Sequence, residues 1–311
     1  MSRVGIVGTG WVGSSVAIST LQRGIATELL LHDVRGAIAE GEAMDLGQGA
    51  PFYPPASVRA TELDEMRACD AVVVTAGRGG RPGETRLDLL KDNAATARRI
   101  GETLRGFGGI IVVVTNPVDV LTSVMTAAAG LPPARVIGTG TMLDTARLRQ
   151  MLGRELGVDP RSVHAQVVGE HGDSEVVLWE GARAGGLRLR DWTGWSAAKE
   201  ERIAAEVRTA AYEIIRRKGA TNHAIGLVTA SLLAWMLRGD RRILTVTRVQ
   251  EGAAGIRDVA LSLPAIVGRQ GATEVLEPEM STDERARLDR SAQILREALA
   301  PIRDAAFRGP E

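Results

Sequence analysis

A turn that contains three glycines, between a short apolar run and a helical pattern, restricts the fold of this 311-residue chain more than any other feature. The apolar run covers residues 4–7, the glycines are Gly8, Gly10 and Gly13, and residues 14–21 have helical spacing. Gly8 permits a tight turn, Gly10 lets a ligand come close to the backbone, and Gly13 lets the helix pack on the strand. Because the N-terminus of the helix then faces phosphate groups, the unit predicts a dinucleotide site; a purely structural glycine turn is the alternative.

An acidic residue after the second apolar run indicates which dinucleotide is bound. This run covers residues 28–32 and ends at Asp33, which lies 20 residues beyond Gly13 (33 − 13). A carboxylate at this distance accepts hydrogen bonds from the ribose hydroxyls and repels a 2′-phosphate. The sequence therefore favours NAD over NADP as the cofactor.

Apolar runs alternate with helical patterns over the first half of the chain. Residues 71–76, 110–115 and 136–138 are mainly apolar, which is typical of parallel strands covered on both faces, and a helical pattern spans roughly 87–104. The alternation predicts an α/β fold with a Rossmann-type doubly wound parallel sheet. Ligands of such sheets bind beyond the carboxyl ends of the strands, where we expect Gly77, Asn116 and Asp119.

The alternation stops beyond residue 140. Helical patterns cover 142–156, 198–218 and 224–237, residues 242–267 resemble antiparallel strands and turns, and a capping box of Ser281 and Glu284 begins a last helix. No repeat or flexible linker separates the two halves. We therefore predict an NAD-binding domain of residues 1–139, packed tightly against a mixed α+β catalytic domain of residues 140–311.

The composition argues against several classes of function. The 38 basic and 38 acidic residues cancel and only 3% of residues are aromatic, so neither nucleic acid nor a membrane surface is an expected partner. A single cysteine, Cys69, excludes an internal disulfide and a cysteine-based zinc site, and its apolar neighbours predict a packed core thiol. Without a recognisable signal sequence or membrane-spanning run, we expect a cytoplasmic protein, and we expect no bound metal.

A histidine between glycines is the strongest candidate for a catalytic residue. Residues 163–168 alternate as in a strand, and the glycine-flanked His171 follows. Upstream, Asp144 and Arg147 are three residues apart in a helical pattern, which places the carboxylate and the guanidinium on one helix face. A carboxylate, an imidazole and a planar cation that binds two oxygens are the groups needed to reduce a 2-oxo acid. A hydrogen-bonded structural histidine is the alternative.

Two other classes of function are weaker interpretations of these residues. A metal hydrolase could use His164, His171 and Asp173, but the two histidines would lie at opposite positions along one strand, and no helical ligand pair is present. A catalytically silent NAD-binding protein would keep the glycine turn and could discard the acid, the base and the arginines. The sequence therefore favours an enzyme.

The strands predicted at 71–76 and 110–115 lead into segments with further candidate residues. Residues 77–86 are rich in glycine and arginine and predict a mobile lid that carries Arg86 to the site as it closes; a solvated basic loop is the alternative. Asn116, which precedes Pro117, has an amide that can hydrogen-bond the cofactor or the substrate, and a purely structural turn is the alternative.

Taken together, these residues resemble the L-lactate/malate dehydrogenase family, and within it most closely the bacterial L-lactate dehydrogenases. The resemblance extends from residue 4 to the last helix, and Ser174-Glu175 with Trp179 is similar to the lactate branch rather than the malate branch. It rests on seven motifs in the family's order: Gly8-x-Gly10-x-x-Gly13, Asp33, Pro82-Gly83-Glu84-Thr85-Arg86, Thr115-Asn116-Pro117-Val118-Asp119, Leu143-Asp144-Thr145-Ala146-Arg147, Gly169-Glu170-His171-Gly172-Asp173 and Lys218-Gly219-Ala220-Thr221.

The resemblance implies an NAD-dependent L-2-hydroxy acid dehydrogenase, most closely one that reduces pyruvate to L-lactate. It implies that His171 donates a proton to the substrate oxygen and that Asp144 orients the imidazole. Arg147 would bind the substrate carboxylate and Arg86 would polarise the carbonyl. A homotetramer, or a dimer, is also implied. Further implied contacts are Asn116 and Thr221 with the substrate, and Trp11, Val12, Ala76, Gly77, Asn93, Thr115, Asn116 and Ile225 with the cofactor.

One position departs from the family's pattern. Six residues before the lid arginine Arg86, the family has a substrate-binding side chain, typically glutamine in lactate dehydrogenases and arginine in malate dehydrogenases, and this chain has Gly80. Since Gly80 leaves that space open, we expect branched or aromatic 2-oxo acids to be reduced at least as well as pyruvate. The alternative is that Arg78 or Arg81 turns inward and recruits a dicarboxylate such as oxaloacetate.

Two residues away from the catalytic face are candidates for regulation. Arg149 lies two residues beyond Arg147, roughly 200° around a helix of about 3.6 residues per turn, and therefore points away from the active site. The resemblance implies that Arg149 and His164 bind fructose 1,6-bisphosphate between subunits and that this effector activates the enzyme. A surface ion pair for Arg149 and a strand-packing role for His164 are the alternatives.

Overall fold

A computed structural model describes residues 2–79 and 85–307, with the backbone alone for Arg86 and for residues 303–307. Gly80 and Arg81 lie outside the described residues. The first half contains β1 (Arg3–Val7), α1 (Trp11–Gln22), β2 (Glu28–His32), α2 (Gly36–Gln48), β3 (Ser57–Ala60), β4 (Ala71–Val74), α3 (Arg86–Thr103), β5 (Ile110–Val113), α4 (Val118–Ala129) and β6 (Val136–Gly138). The second half contains α5 (Met142–Leu156), β7 (Val163–His164), β8 (Val167–Val168), β9 (Val176–Val177), β10 (Arg183–Ala184), β11 (Leu187–Arg188), α6 (Ala197–Lys218), α7 (His223–Arg238), β12 (Arg242–Glu251), β13 (Arg257–Gly268), β14 (Gly271–Val275) and α8 (Thr282–Phe307).

One large sheet joins the two halves of the chain. Within the described residues it has nine strands, in the order β14-β13-β12-β6-β5-β4-β1-β2-β3. Strands β1 to β6 pair in parallel, as a doubly wound sheet requires. Strands β12 to β14 are antiparallel, and β12 pairs with β6 through Thr247 and Gly138. The predicted fold class is therefore confirmed, whereas the division at residues 139 and 140 stays a prediction.

The strand side chains alternate between two apolar layers. In β4, Val72 and Val74 face the layer that contains α3, α4 and α8, while Ala71 and Val73 face the layer that contains α1, α2 and α7. All four side chains are buried. Burial on both faces is the reason that the central strands β4 and β5 are apolar at every position. The two layers hold the carboxyl ends of β1, β4 and β5 at one edge of the sheet.

A third apolar cluster supports the part of the chain that follows β6. It packs Leu148 and Leu152 of α5 against Ile203 and Val207 of α6 and against the short strands β7 to β10. Helix α5 carries Asp144 and Arg147, so this cluster fixes the helix face on which both predicted site residues lie.

The single cysteine is part of the core, as predicted from its apolar neighbours. Cys69 is 6% exposed, and burial raises the pKa of its thiol to about 12. A thiol with so high a pKa is a poor nucleophile at neutral pH.

Among the helices of the described residues, none combines the length and the apolar character that crossing a bilayer requires.

Candidate active site

His171 lies in a loop that its neighbours fix to the sheet. The run 163–168 forms two short strands instead of the single strand predicted, because β7 pairs with β10 whereas β8 pairs with β9. After β8, Gly169 has a φ of +85° and exchanges two backbone hydrogen bonds of 2.9 Å with Ser262 of β13. A Cβ atom on Gly169 would lie 2.8 Å from Ser291 Oγ, so glycine is required where the chain turns toward His171.

Asp144 connects the imidazole and the guanidinium predicted from the sequence. Its Oδ2 lies 2.5 Å from His171 Nδ1, and its Oδ1 accepts a hydrogen bond of 2.8 Å from Arg147 Nη1. The Asp144 side chain is 3% exposed, and those of Arg147 and His171 are 12% and 22% exposed. Three of the four predicted catalytic residues therefore form one largely buried cluster. The side chain of the fourth, Arg86, lies outside the described residues.

The electrostatics of this cluster favour a charged imidazole. Burial by itself would lower the pKa of His171, but the charge and hydrogen bond of Asp144, together with the charge of Asp119, raise that pKa to about 9. Burial would likewise raise the pKa of Asp144, yet His171 and Arg147 outweigh this effect and lower it. His171 is therefore an imidazolium at neutral pH. Since Asp144 occupies Nδ1, Nε2 is the atom left to donate a proton.

Two buried carboxyl groups beside the cluster are not among the predicted catalytic residues, although Asp119 is expected at this edge of the sheet. Asp119, in the first turn of α4, accepts a hydrogen bond of 2.8 Å from the backbone nitrogen of His171, and burial raises its pKa to about 6. Glu175 is 6% exposed, and burial, followed by the charge of Asp144, raises its pKa to about 8. The sequence signals for Asp119 are its place just after a strand and in the motif of residues 115–119. The sequence signal for Glu175 is the similarity of Ser174-Glu175 to the lactate branch.

The glycine turn leaves room for a dinucleotide. Gly8 has a φ of +95°, and a Cβ atom on it would lie 2.6 Å from the backbone nitrogen of Ala76. A Cβ atom on Gly13 would lie 1.9 Å from Gly8 O, so neither glycine tolerates a side chain. Gly10, in contrast, faces open space within the described part of the chain. Helix α1 begins next to it at Trp11, three residues before the predicted start, and presents its N-terminus to that space.

Asp33 lies beside this turn, directly after β2. Its carboxylate accepts hydrogen bonds of 3.0 Å from the backbone nitrogens of Thr9 and Arg35. Burial would raise the pKa of Asp33, but these hydrogen bonds and the charge of Arg35 lower it, so the group is ionised at neutral pH. An ionised carboxylate retains acceptor positions for the ribose hydroxyls and opposes a 2′-phosphate. The residues at this edge of the sheet therefore fit NAD.

Asn93 and Thr115, two further predicted cofactor contacts, hold the strand ends in place. Asn93 of α3 accepts a hydrogen bond of 3.0 Å from the backbone nitrogen of Arg78 and donates one of 3.2 Å to Asn116 O. Thr115 Oγ1 donates a hydrogen bond of 2.8 Å to Ala76 O. These contacts fix the segments that follow β4 and β5 next to the glycine turn.

Two predicted substrate contacts lie in connections that lead into helices. Asn116 Oδ1 accepts a hydrogen bond of 3.3 Å from Val118 N, which stabilises the start of α4. Thr221 lies in the turn between α6 and α7, where the adjacent Asn222 donates a hydrogen bond of 2.9 Å to Ser15 Oγ of α1. The turn that contains Thr221 is thereby joined to the helix that follows the glycine turn.

Three further predicted cofactor contacts belong to α1 and α7. Trp11 is 63% exposed, whereas Val12 and Ile225 are partly buried against the apolar layer of α1, α2 and α7. The indole of Trp11 is therefore open to contact with a ligand or with another molecule.

Arg149 and His164 line a cavity away from His171. The cavity measures about 460 Å³, and its lining also includes Arg183 and Glu279. Arg149 Nε donates a hydrogen bond of 3.0 Å to Ala165 O. Arg183, which is absent from the sequence-based candidates, pairs with Glu279 at 3.0 Å. The structure thus brings the two residues predicted for regulation together and adds a second arginine, Arg183, beside them.

Comparisons with known proteins assign both halves of the chain to one family. Residues 2–138 match the lactate/malate dehydrogenase NAD binding domain, and residues 141–305 match the lactate/malate dehydrogenase alpha/beta C-terminal domain. The L-lactate dehydrogenase of Synechococcus sp. (strain JA-3-3Ab) is 46% identical over 301 residues, which cover 96% of this chain and 98% of that protein. The L-lactate dehydrogenase of Kosmotoga olearia is 43% identical over 310 residues, which cover 96% of each protein.

A solved structure gives the same result. The crystal structure of the minor L-lactate dehydrogenase from Enterococcus mundtii in the ligands-bound form is 39% identical in sequence and superposes with a TM-score of 0.94, covering 97% of this chain and 98% of that chain. The fold and the site therefore define an NAD-dependent oxidoreductase. The chain belongs to the lactate/malate dehydrogenase family.

Proposed function

We propose that the protein is an L-lactate dehydrogenase-like enzyme that reduces pyruvate to L-lactate with NADH. The observation that carries this proposal is the position of Asp144, whose two oxygens hold His171 Nδ1 and Arg147 Nη1 at 2.5 and 2.8 Å. A proton donor and a carboxylate-binding guanidinium are thereby fixed side by side. The names of the relatives described above support the same substrate.

In this proposal, His171 is the general acid of the reduction. When bound, reduced NAD supplies a hydride to the carbonyl carbon of the 2-oxo acid. The imidazolium of His171 donates its Nε2 proton to the carbonyl oxygen, and in the reverse direction the neutral imidazole accepts the proton of the hydroxyl group. Asp144 fixes the ring through Nδ1 and stabilises its positive charge.

Arg147 binds the substrate carboxylate. A guanidinium has five N–H donors, and the contact between Arg147 Nη1 and Asp144 uses only one of these. Two parallel hydrogen bonds to the substrate carboxylate orient it, which the ammonium group of a lysine does not do. We further propose that Arg86 polarises the carbonyl when the predicted lid closes, and that Asn116 and Thr221 contact the substrate.

Gly80 sets the size of the substrate in this proposal. Because glycine replaces the family's substrate-binding side chain, branched or aromatic 2-oxo acids fit at least as well as pyruvate. Oxaloacetate is not favoured as the substrate. Arg78, one of the two arginines that could recruit it, pairs with Asp92 at 2.7 Å, and the named relatives are L-lactate dehydrogenases.

Initial rates of NADH oxidation with a panel of 2-oxo acids test the proposed function. We expect turnover of pyruvate, equal or faster turnover of 2-oxoisocaproate and phenylpyruvate, and slow turnover of oxaloacetate. In the matched variant Gly80→Gln, we expect pyruvate to become the preferred substrate. A strong preference of the unmodified enzyme for pyruvate over every larger acid would contradict the role of Gly80, and a preference for oxaloacetate would contradict the assignment to lactate.

Asp33 is expected to determine the choice of cofactor. The variant Asp33→Asn removes the charge beside the ribose, so we expect the KM for NADH to rise about tenfold, since hydrogen bonds to charged groups contribute roughly 1.5–3 kcal/mol. The affinity for NADPH should fall less than the affinity for NADH, so the kcat/KM for NADPH should approach that for NADH. The control is Asp64→Asn, which removes an exposed charge elsewhere. Unchanged selectivity for NADH in Asp33→Asn would exclude this role.

We also propose that the protein assembles as a homotetramer or a dimer and works in the cytoplasm, with domains at residues 1–139 and 140–311. Trp11, Met44 and Leu227 are 63%, 66% and 57% exposed, and large apolar side chains on a surface support contact with another subunit.

The cavity beside Arg149 and His164 is the proposed site of fructose 1,6-bisphosphate. If the sugar bisphosphate leaves the rates of the substrate panel unchanged, activation by it is excluded.

A further inference from the structure

Asp119 holds the catalytic loop through both oxygens of a buried carboxylate. The residue is 2% exposed. Its Oδ2 accepts a hydrogen bond of 2.8 Å from the backbone nitrogen of His171, and its Oδ1 accepts one of 2.5 Å from Thr247 Oγ1. Thr247 Oγ1 lies 2.8 Å from Ser262 Oγ, and Ser262 is the residue that pairs with Gly169. Three distant segments, α4, β12 and the loop of His171, therefore meet at this carboxylate.

Anchoring a loop does not require a charge. A neutral amide or carbonyl oxygen would accept the same hydrogen bond from His171 N, and burying a carboxylate costs far more than burying a neutral group. The negative charge of this buried carboxylate therefore requires a role besides accepting the hydrogen bond from His171 N. This charge lies beside a positive imidazolium, and this attraction favours the protonated form of His171.

Thr247 helps Asp119 to stay ionised. Burial raises the pKa of Asp119 to about 6, and the hydrogen bonds from Thr247 and from His171 N oppose this rise. Asp119 is therefore mostly a carboxylate above pH 6. The other titratable groups that interact with His171 or Asp119 are Asp144 and Arg147 of α5 together with Glu170 and Glu175 of the same loop. Arg208 of α6 interacts with Glu175.

We propose that Asp119 is a positioning residue of the active site: it fixes the backbone of His171 and shares with Asp144 the stabilisation of the imidazolium, and Thr247 keeps it ionised. The role in catalysis rests on the proposed function, because a raised proton affinity of His171 matters only if this imidazole donates a proton. The effect on the affinity itself can be measured without turnover.

Titration of the His171 imidazole by NMR, in the protein without cofactor, tests the proposal. The chain has four histidines, so the signal can be assigned with His171→Asn. We expect Asp119→Asn, which keeps the shape and an acceptor oxygen, to lower the pKa of His171 by about one unit, because an opposite charge within a few ångströms shifts a pKa by about 1–3 units. Ser123→Ala is the control, since the Ser123 hydroxyl is hydrogen-bonded to two backbone atoms, Asp119 O at 3.4 Å and Ala260 N at 3.3 Å, and not to the Asp119 carboxylate.

Two variants of Thr247 keep the test valid if Asp119→Asn fails to fold. Thr247→Val removes the hydroxyl without changing the side-chain shape, so the pKa of Asp119 should rise above about 6, and the change in the His171 signal that accompanies protonation of Asp119 should move to higher pH. Thr247→Ser retains the hydroxyl and should restore the original titration curve. The proposal is overturned if Asp119→Asn or Thr247→Val lowers the melting temperature but leaves the His171 titration unchanged.

The pH dependence of kcat/KM for pyruvate separates this proposal from the proposed function. Reduction requires the imidazolium, so the rate should fall as the pH rises past about 9, and Asp119→Asn should move this fall to lower pH by the same amount as the titration. If Asp119→Asn lowers the His171 pKa measured by NMR but the unmodified protein does not reduce 2-oxo acids, the proposed function alone is overturned. An NMR shift without any movement of the rate profile would overturn the catalytic role of Asp119.

Discussion

Replacing His171 with asparagine is expected to lower kcat for pyruvate reduction by about 10²- to 10⁴-fold, the usual contribution of a general acid. Asparagine retains polarity and approximate size, but it cannot donate a proton to a developing alkoxide. NADH binding should stay unchanged, because the cofactor residues Gly8, Gly10 and Asp33 lie on the glycine turn and the adjacent strand end. Stopped-flow rates and a fluorescence titration with NADH measure the two effects separately.

The control for this variant is His223→Asn, which changes an exposed histidine at the start of α7. It should leave kcat close to that of the unmodified enzyme. The alternative of a purely structural histidine predicts a different outcome for His171→Asn, namely lower thermal stability together with nearly normal turnover at low temperature. That outcome would remove His171 from the mechanism.

Replacing Arg147 with lysine is expected to lower kcat/KM for pyruvate about 100-fold. Lysine keeps the positive charge but loses the two parallel hydrogen bonds to the substrate carboxylate. Each hydrogen bond to a charged group contributes roughly 1.5–3 kcal/mol, and a loss of about 1.4 kcal/mol corresponds to a tenfold decrease in kcat/KM. Lysine also disturbs the contact of 2.8 Å between Arg147 Nη1 and Asp144 Oδ1, which should lower kcat in addition.

Arg154→Lys is the matched control for Arg147→Lys. Arg154 is exposed in the last turn of the same helix, α5. Its replacement therefore measures the effect of an arginine-to-lysine change on this helix outside the active site. Steady-state kinetics of both variants over a range of pyruvate concentrations distinguish binding from turnover. If Arg147→Lys retained kcat/KM within about twofold, Arg147 would not be the carboxylate-binding group.

Local patterns in the sequence predict the parts of the fold that depend on neighbouring residues. The glycine turn predicts the strand and the turn, because Gly8 and Gly13 have no room for a Cβ atom, whereas α1 begins three residues before its predicted start. The spacing of Asp144 and Arg147 places both on one face of α5, and the pair forms as expected. The capping box is also present, since Ser281 and Glu284 exchange hydrogen bonds of 2.8 and 3.2 Å.

Contacts between distant segments are the parts that the sequence does not predict. The hydrogen bond between Thr247 and Asp119 spans 128 residues, and it exists only because β12 adds to the sheet next to β6. The approach of Arg183 to the cavity of Arg149 and His164 depends in the same way on the pairing of β10 with β7. The predicted single strand over 163–168 is wrong for a related reason, because its two ends pair with different partners.

A crystal structure of the protein with NADH and oxamate, the unreactive amide analogue of pyruvate, tests the central claim most directly. We predict that the oxamate carboxylate accepts two hydrogen bonds from Arg147, at about 2.7–2.9 Å, and that its carbonyl oxygen faces His171 Nε2. His171 Nδ1 should remain bound to Asp144. Oxamate bound away from Arg147, or with its carbonyl oxygen out of reach of His171, would contradict the account.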